Sequence, residues 1–393
     1  MFTGAVDRQD SEKSSRVGEF KRPIIANIPR LNECLDVQKL SAVVGRSGQN
    51  FTYLSGVTYP GTLGRHLDIT DSPRGVLIFW PRRGDPVIIA NKIAEGLAVR
   101  DSWVRRVEVY DAYGESPYRR LAAVIRDAGM GQERIGIEMN YISAAHFAEL
   151  KELLPNCQLT DCVAMMDRVR WIKTPREIEL LKRGADLLDD AFFEVFPTIR
   201  PGTTERDAHA KLIDSCLRRG AGWAHGILNS STNVIPYAGE GDTVFQPGDV
   251  VRTDYVAYLQ SYPGHQSRNA VVGAPSSEQK REYNVVRDIY RMTIDRCRPG
   301  ASAGDVYDFV VQEYNKQGWT YGTALVGHSV GPWWHQQEPI LARGRTTLLE
   351  EGMVLALEPH KEYWHIQDMV VVRKDGPELI SDKFPTDEPF VVN

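Results

Sequence analysis

The hydrophobic and polar positions of this 393-residue chain change their spacing several times along its length. Between residues 121 and 128 the apolar positions follow a helical spacing, whereas short apolar runs bounded by turn residues indicate strands. The strand-like runs lie at 41–44, 75–79, 86–90 and 134–138. Helices that alternate with strands in this way predict an α/β domain with a mostly parallel sheet over residues 21–170. The polar residues 1–20 before it predict a flexible arm.

A long amphipathic helix is predicted to open the second part of the chain, which we place at residues 171–393. Thr174 can cap this helix, Pro175 suits its first turn, and Glu177 completes a capping box. The apolar residues that follow fall on one helical face, so we expect the helix to pack against a sheet. These residues are Ile178, Leu181, Ala185, Leu188, Phe192 and Val195.

Two segments of the second part repeat each other. The triplet Arg-Pro-Gly at 200–202 recurs at 298–300, and Gly220 recurs as Gly318, with the same offset of 98 residues. A helical stretch precedes each triplet, a second helix follows it, and strand-rich sequence comes next. The duplication predicts a pseudo-twofold arrangement in which a barrel-like sheet carries helices on its outside.

The composition argues against several functional classes. Hydrophobic residues make up 42% of the chain and charged residues 25%, which is ordinary for a globular protein. The net charge of −5 gives no reason to expect nucleic acid or an anionic membrane as a partner. No apolar run approaches the ~18 residues of a membrane span. The five cysteines are scattered and lack CxxC spacing, which predicts reduced thiols in a cytoplasmic protein.

Polar residues that can bind metals or carry protons recur in the second half of the chain. Asp254 lies in a strand-like run, and a hairpin return would bring His265, eleven residues later, beside it. His328 lies in the turn Gly-His-Ser-Val-Gly, where two glycines let the backbone turn tightly. Glu358 and Gln367 each adjoin an apolar strand-like run. Together the five positions form one candidate site.

The order and spacing of these residues resemble the pita-bread family, which includes methionine aminopeptidase, aminopeptidase P, prolidase and creatinase. The resemblance implies a creatinase-like α/β domain followed by a pita-bread domain with pseudo-twofold duplicated helices and a curved antiparallel sheet. It also implies a homodimer. In the peptidase members the five positions read Asp, Asp, His, Glu and Glu and hold two divalent metals. Because His265 and Gln367 replace two of those carboxylates, we expect a non-peptidase member, closest in character to creatinase and ectoine hydrolase.

Five further residues are assigned to the site. By resemblance, Arg268 matches the family's Asp-x-x-Arg pattern, and His335 matches its second histidine, which contacts the substrate. Tyr237 stands where family members carry a proton-shuttling histidine. Its phenol, with an ordinary pKa of about 10, is a hydrogen-bond donor rather than a base at neutral pH. Trp333 and Trp334 lie between the two motif histidines and predict aromatic walls for a planar or cationic small molecule.

The charge of the site favours a metal-free arrangement over a single metal. Asp254 and Glu358 supply two negative charges, enough for one divalent ion, and a glutamine oxygen does not bridge two ions as a carboxylate does. Asp254, His265, His328 and Glu358 would still form a ligand set for one zinc, iron or manganese ion. By resemblance, creatinase keeps this fold without metals and uses the same positions, here including Gln367, to bind its substrate.

The principal hypothesis is a small-molecule hydrolase that cleaves a C–N bond of an amide, amidine, urea or cyclic analogue. His328 or His265 would activate water and later protonate the leaving nitrogen, while Asp254 or Glu358 would orient the substrate. Tyr237 would donate a hydrogen bond to the developing oxyanion.

Three alternatives remain open. One is a metal-dependent lyase of the dimethylsulfoniopropionate-cleaving type, whose members also lack the histidine at the position of Tyr237 but keep their metal-binding carboxylates. Another is a non-catalytic ligand-binding protein, against which the polar character of the replaced site residues argues. The last is a single-metal hydrolase that resembles Xaa-Pro peptidases.

Overall fold

A computed structural model describes residues 23–46, 48–59, 74–235, 241–332 and 338–392. The chain divides into two compact units, Met1–Met166 and Asp167–Asn393, and each is described by itself. The arm predicted at residues 1–20 lies outside the described residues, and the domain limits drawn from the sequence stay predictions.

The N-terminal unit alternates helices with strands. Its helices are Ile28–Gln38 (α1), Gln49–Ser55 (α2), Lys92–Asp101 (α3), Pro117–Asp127 (α4) and Ala144–Leu153 (α5). Its strands are Ala42–Arg46 (β1), Leu77–Pro81 (β2), Val87–Asn91 (β3), Arg106–Tyr110 (β4), Arg134–Ile137 (β5) and Gln158–Asp161 (β6). A further helix, Val163–Trp171 (α6), spans the point at which the two units divide.

The strands of this unit form one sheet in the order β4-β3-β2-β1-β5-β6. The pairings β3–β4, β1–β5 and β5–β6 are parallel, whereas β1–β2 and β2–β3 are antiparallel. The four strands predicted from apolar runs are present within about two residues of their expected limits. Helix α4 begins earlier than its apolar pattern, because Ser116 caps it with hydrogen bonds from the Tyr118 and Arg119 amides and Pro117 occupies the first turn.

The C-terminal unit contains four longer helices and twelve strands among the described residues. The helices are Pro175–Val195 (α7), Glu205–Arg218 (α8), Ser277–Ile294 (α9) and Ala303–Lys316 (α10), with a 3₁₀ turn at Phe196–Thr198. The strands are Trp223–Ser230 (β7), Val250–Leu259 (β8), Tyr262–Gln266 (β9), Asn269–Val272 (β10), Leu325–Ser329 (β11), Ile340–Ala342 (β12), Val354–Leu357 (β13), His360–Lys361 (β14), Trp364–His365 (β15), Asp368–Val371 (β16), Glu378–Leu379 (β17) and Phe390–Val392 (β18).

The duplication seen in the sequence is present in the structure. Helices α8 and α10 have the same length of 14 residues and the same offset of 98 residues along the chain. Thr204 caps the first and Ser302 the second through their side-chain oxygens. Gly220 and Gly318, just beyond the two helices, both have positive φ, 97° and 73°, which glycine adopts without steric cost.

Two sheets lie inside these helices. The first has the strand order β18-β10-β8-β7 with β9 paired to β8, and the second has the order β12-β11-β13-β16-β17. All of their pairings are antiparallel except β10–β18. Reciprocal backbone hydrogen bonds of 3.2 Å between Ser267 and Gln367 join the two sheets. Apart from β18, which comes from the end of the chain, each sheet is built from one half of the duplication, and the two sheets meet near the candidate site.

Helix α7 holds strand β9 in place. Its capping box at Thr174 and Glu177 forms as predicted, and the predicted apolar face is buried except for the half-buried Ile178. A Cβ atom added to Gly184 of α7 would lie only 2.6 Å from the backbone nitrogen of Gly264 in β9. The two glycines therefore allow a close backbone contact, and this contact fixes the strand that carries His265.

None of the helices in the described ranges is both long enough and apolar enough to cross a membrane.

Candidate active site

The hairpin of β8 and β9 brings Asp254 and His265 together. Gln260 and Ser261 form its turn with positive φ angles of 52° and 68°, and Val256 pairs with His265 in the register that follows. The Oδ1 atom of Asp254 lies 3.6 Å from Nε2 of His265. The sequence prediction for this pair is therefore met by the geometry.

A second pair forms where β11 meets β13. His328 lies opposite Ala356 in this antiparallel pairing, and Glu358 follows the end of β13. Nε2 of His328 lies 3.7 Å from Oε1 of Glu358, while Nδ1 is 2.9 Å from the carbonyl oxygen of Ser329. The ring centroids of His328 and His265 are 5.2 Å apart, so the two pairs face one another.

These side chains line a cavity of about 550 Å³. Its walls combine the four predicted residues with apolar and aromatic side chains from β7, β8 and β11. The lining consists of Trp223, His225, Gly226, Ile227, Asp254, Val256, His265, Thr323, Ala324, Leu325, His328, Glu358 and His360.

Gln367 and Arg268 are not among the lining residues. Gln367 is fully buried, and its Oε1 accepts a hydrogen bond of 2.9 Å from the hydroxyl of Ser267. The guanidinium of Arg268, also buried, contacts the carboxylates of Asp189 at 3.0 Å and Asp368 at 2.8 Å. All three of its nitrogens donate hydrogen bonds within the protein. The structure thus places Arg268 in an internal ion-pair network, and its role in substrate binding stays a prediction without geometric support.

Tyr237, Trp333, Trp334 and His335 lie outside the described residues. Their assigned roles as hydrogen-bond donor, aromatic walls and substrate contact stay predictions.

Two histidines that the sequence analysis did not assign to the site lie beside Glu358. The short strands β14 and β15 pair so that His360 stands opposite His365, with ring centroids 4.6 Å apart. Nε2 of His365 lies 3.3 Å from Oε2 of Glu358. One potential ligand atom from each of the three residues lies within 4.8 Å of the others. The sequence carried a signal for this group, since residues two apart in extended backbone share a face and a tight hairpin brings its arms together.

Burial controls the protonation of this cluster. It raises the pKa of Glu358 to about 7 and raises the pKa of Asp254 above its usual value. It lowers the pKa values of His360 and His365 to about 4, because a buried imidazolium loses hydration. At neutral pH both imidazoles are therefore uncharged, the form in which histidine accepts a proton or binds a metal.

Comparison with known families assigns both parts of the chain. Residues 28–172 match the creatinase/prolidase N-terminal domain, and residues 179–374 match metallopeptidase family M24. The chain is 28% identical over 355 residues to an Xaa-Pro dipeptidase of Lactobacillus helveticus, covering 87% of this chain and 95% of that enzyme. It is 27% identical over 262 residues to an Xaa-Pro dipeptidase of Pyrococcus furiosus, covering 63% of this chain and 74% of that enzyme.

Solved structures share the fold. An X-Pro aminopeptidase from Thermotoga maritima superposes with a TM-score of 0.79 at 21% identity, covering 93% of this chain and 99% of that one. A prolidase from Pyrococcus horikoshii superposes with a TM-score of 0.74 at 22% identity, covering 90% and 97% of the two chains. The predicted fold class, a creatinase-like α/β domain followed by a pita-bread domain, is confirmed.

The relatives correct the principal functional hypothesis. The assignment to a non-peptide C–N hydrolase of the creatinase and ectoine hydrolase branch is wrong, because the relatives that span most of the chain are named Xaa-Pro dipeptidases. That hypothesis counted carboxylates at five positions and treated them as the whole ligand supply. His360 and His365 add two uncharged nitrogen ligands beside Glu358, so the number of carboxylates alone does not decide whether the site can bind a metal ion.

The two family matches follow one another along the chain and together extend from residue 28 to residue 374. The chain carries a creatinase/prolidase N-terminal domain followed by a hydrolase domain of metallopeptidase family M24.

Proposed function

We propose that this protein is a metal-dependent hydrolase that cleaves dipeptides of the Xaa-Pro type with the help of one divalent ion. The observation that carries the proposal is the likeness to an enzyme named Xaa-Pro dipeptidase over 95% of that enzyme's length. Zinc, iron and manganese are the ions whose preferences suit a site of imidazole and carboxylate ligands.

The cavity suits a dipeptide in size and in the distribution of polarity. Its volume of about 550 Å³ falls within the roughly 300–1,000 Å³ typical of small-molecule sites. Ile227, Val256 and Leu325 provide apolar wall that can contact a pyrrolidine ring. Asp254, an acceptor on the same wall, can bind the α-ammonium group of the substrate.

The residues around the cavity fit a divalent ion. Asp254, His265, His328, Glu358 and His360 all offer oxygen or nitrogen ligands on its walls. A divalent ion, when bound there, supplies Lewis acidity that polarises the peptide carbonyl and makes water a better nucleophile at neutral pH.

His328 is placed to move a proton. When its Nδ1–H donates to the carbonyl of Ser329 at 2.9 Å, the Nε2 atom is left as the acceptor and faces Glu358 and the cavity. This nitrogen can take a proton from attacking water and return it to the proline nitrogen as the peptide bond breaks. Glu358, 3.7 Å from this nitrogen, would hold the ion close to it. His265 faces the His328 ring and, at 3.6 Å from Asp254, helps to orient that carboxylate.

The direct test is hydrolysis of a panel of Xaa-Pro dipeptides, with matched Xaa-Ala dipeptides as controls. Enzyme stripped with a chelator and resupplied separately with Zn²⁺, Mn²⁺ or Fe²⁺ should release free proline with at least one ion, and the chelator should suppress it. Absence of Xaa-Pro hydrolysis with every ion, in protein shown to be folded by circular dichroism, would reject the proposal.

A single substitution tests the assigned site. His328→Ala should lower kcat by about 10²–10⁴-fold, the range that loss of a positioned acid–base group costs. The matched control is His146→Ala, at a histidine of the N-terminal helix α5 that does not line the cavity. Full activity of the His328 variant would contradict the assignment.

The homodimer and the cytoplasmic location stay predictions from the sequence. Size-exclusion chromatography coupled to light scattering tests the first of them.

A further inference from the structure

The short β14–β15 hairpin places two imidazoles next to a carboxylate at the wall of the cavity. Glu358 and His360 are two residues apart, and His365 stands opposite His360 across the hairpin. Their ligand atoms all lie within 4.8 Å of one another. In the predicted set of Asp254, His265, His328 and Glu358, by contrast, the close approaches are the two pairs at 3.6 and 3.7 Å.

We propose that Glu358, His360 and His365 bind one divalent transition-metal ion, with zinc as the best fit, in a site shifted away from the five family positions. Only Glu358 belongs to those five positions. The proposal rests on the proposed function for its catalytic meaning, because it names the ligands of the ion which that function requires. Binding of the ion can nevertheless be measured without any substrate.

His360 has the second contact that metal-binding histidines require. Its Nδ1 lies 3.0 Å from the carbonyl oxygen of Glu358, so Nδ1–H donates there and Nε2 is left as the ligand atom. A histidine that binds a metal usually donates its other N–H to a carbonyl or carboxylate in this way, which fixes both the tautomer and the ring orientation. The hydroxyl of Thr323 donates a hydrogen bond of 3.3 Å to this Nε2, and a bound ion would take the place of that hydrogen bond.

His365 is the independent observation that points to a ligand. Its side chain is fully buried, and within the described ranges neither ring nitrogen has a hydrogen-bond partner. Buried polar atoms in native proteins are nearly always satisfied by protein, water or an ion. The backbone nitrogen of His365 donates to Oδ1 of Asn269 at 2.8 Å, which holds the residue in position.

The spacing between the ligand atoms of His365 and Glu358 matches that of a zinc site. Tetrahedral ligands at about 2.0–2.1 Å from zinc lie about 3.3–3.4 Å from each other, and Nε2 of His365 is 3.3 Å from Oε2 of Glu358. Two histidines and one glutamate also match the ligand composition of catalytic zinc sites that keep one position open. Glu358 and His360 both line the cavity, so the open position would face a bound substrate.

The test is metal binding by the full-length protein after chelator treatment. Zn²⁺ is titrated in competition with a chromophoric chelator, and stoichiometry is read from elemental analysis after gel filtration. Wild type should bind one ion per chain. His360→Gln, at a half-buried residue, and His365→Asn should each weaken zinc binding by at least about 100-fold, which is the upper end of the loss seen when a residue that only hydrogen-bonds to a ligand is replaced. His225→Gln, in the same cavity but outside the group, should bind like wild type.

A second set of variants distinguishes this site from the predicted one. Asp254→Asn and His265→Gln should retain Zn²⁺ affinity within about threefold if the ion sits at the hairpin. If these two lose the ion while His360→Gln keeps it, or if wild type binds none, the proposal is overturned. Thermal melting of each variant without metal identifies any that fail to fold, and His360→Gln alone then decides.

The outcomes separate this proposal from the function. If the His360 and His365 variants lose the one ion that wild type binds, and wild type hydrolyses no Xaa-Pro dipeptide, the metal site is supported and the function is rejected. Hydrolysis that survives His360→Gln with unchanged Zn²⁺ affinity would support the function and reject the site.

Discussion

Replacing Arg268 with methionine tests whether this residue, predicted from the sequence to bind substrate, instead holds the C-terminal unit together. Arg268 is 1% exposed, and its guanidinium contacts Asp189 of helix α7 at 3.0 Å and Asp368 of strand β16 at 2.8 Å. It also donates to the carbonyl oxygens of Gln367 and Ser381, each at 2.8 Å. The residue therefore links helix α7 and both sheets.

The expected loss is large because methionine leaves two carboxylates buried without a cation. Removing one partner of a buried ion pair costs about 3–5 kcal/mol, a large share of the roughly 5–15 kcal/mol by which domains are stable. Burial raises the pKa of Asp189 to about 6, although Arg268 lowers it. Without the arginine, the pKa of Asp189 rises further. Above about pH 4 this carboxyl is ionised in the unfolded chain. In the folded variant it keeps its proton up to a higher pH.

The sign of the pH dependence follows from that retained proton. Where the folded state binds more protons than the unfolded state, stability falls as the pH rises. The deficit of Arg268→Met relative to wild type should therefore be larger at pH 8 than at pH 5. One further unit of pKa rise corresponds to about 1.4 kcal/mol of this difference.

Urea unfolding followed by far-UV circular dichroism at pH 5 and pH 8 measures the effect, with midpoints and slopes compared between the proteins. Arg281→Met is the control, since Arg281 is 61% exposed and lies 3.9 Å from Glu278; its effect should stay below about 1 kcal/mol. An Arg268→Met protein within about 1 kcal/mol of wild type at pH 8 would refute the argument. If its only defect were a raised KM, the predicted role in substrate binding would be restored.

Three further predictions follow from local contacts. Gly264→Ala should destabilise the protein and lower its activity, because the added Cβ would clash with the backbone of helix α7 and displace strand β9, which carries His265. Thr174→Ala should cost about 1 kcal/mol in urea unfolding, since it removes one half of the capping box. In thiol titration of the native protein, Cys216 and Cys297 should not react at neutral pH, because burial raises the pKa of each thiol to about 12. The half-buried Cys34 should react first.

Each of these predictions has an outcome that contradicts it. Wild-type stability and kcat in the Gly264 variant would mean that α7 and β9 have room to separate. The control is Gly248→Ala, where the added Cβ meets no atom within 4 Å and any loss of stability comes from the positive φ of 89°. An unchanged midpoint for Thr174→Ala would mean that the helix end is not limiting for stability. Rapid modification of all five thiols in native protein would show that Cys216 and Cys297 are open to solvent.

Much of the fold was predictable from short stretches of sequence. The capping box at Thr174, the apolar face of the helix after it, and the 98-residue repeat each depend on residues that are near one another or that recur at a fixed offset. The hairpin that joins Asp254 to His265 is likewise local, because the two residues lie on consecutive strands. Resemblance to a family extended these patterns to the fold class, which the comparisons confirm.

The function was predicted less well, for a physical reason. Replacement of two carboxylates by His265 and Gln367 was taken to argue against a two-metal peptidase and to favour a non-peptidase, which assumed that ligands come only from the family positions. Gln367 instead packs against Ser267 in the buried joint between the sheets. His360 is close to Glu358 because the two residues are two apart in the chain, whereas His365 comes close to both because a two-residue turn reverses the chain there.

The sequence by itself determined helices α4 and α7, four strands of the N-terminal sheet, the duplication and the pair of Asp254 with His265, because hydrogen bonds and apolar periodicity within an element depend on near neighbours. Only the tertiary structure decided what Arg268 does and what surrounds Glu358. Apart from the carbonyl oxygen of the adjacent Ser267, the hydrogen-bond partners of the Arg268 guanidinium lie 79 to 113 residues away along the chain. His365, from the second half of the repeat, donates its backbone N–H to Asn269 of the first half. Burial and the supply of donors around a polar group are set by this long-range packing, which no local pattern encodes.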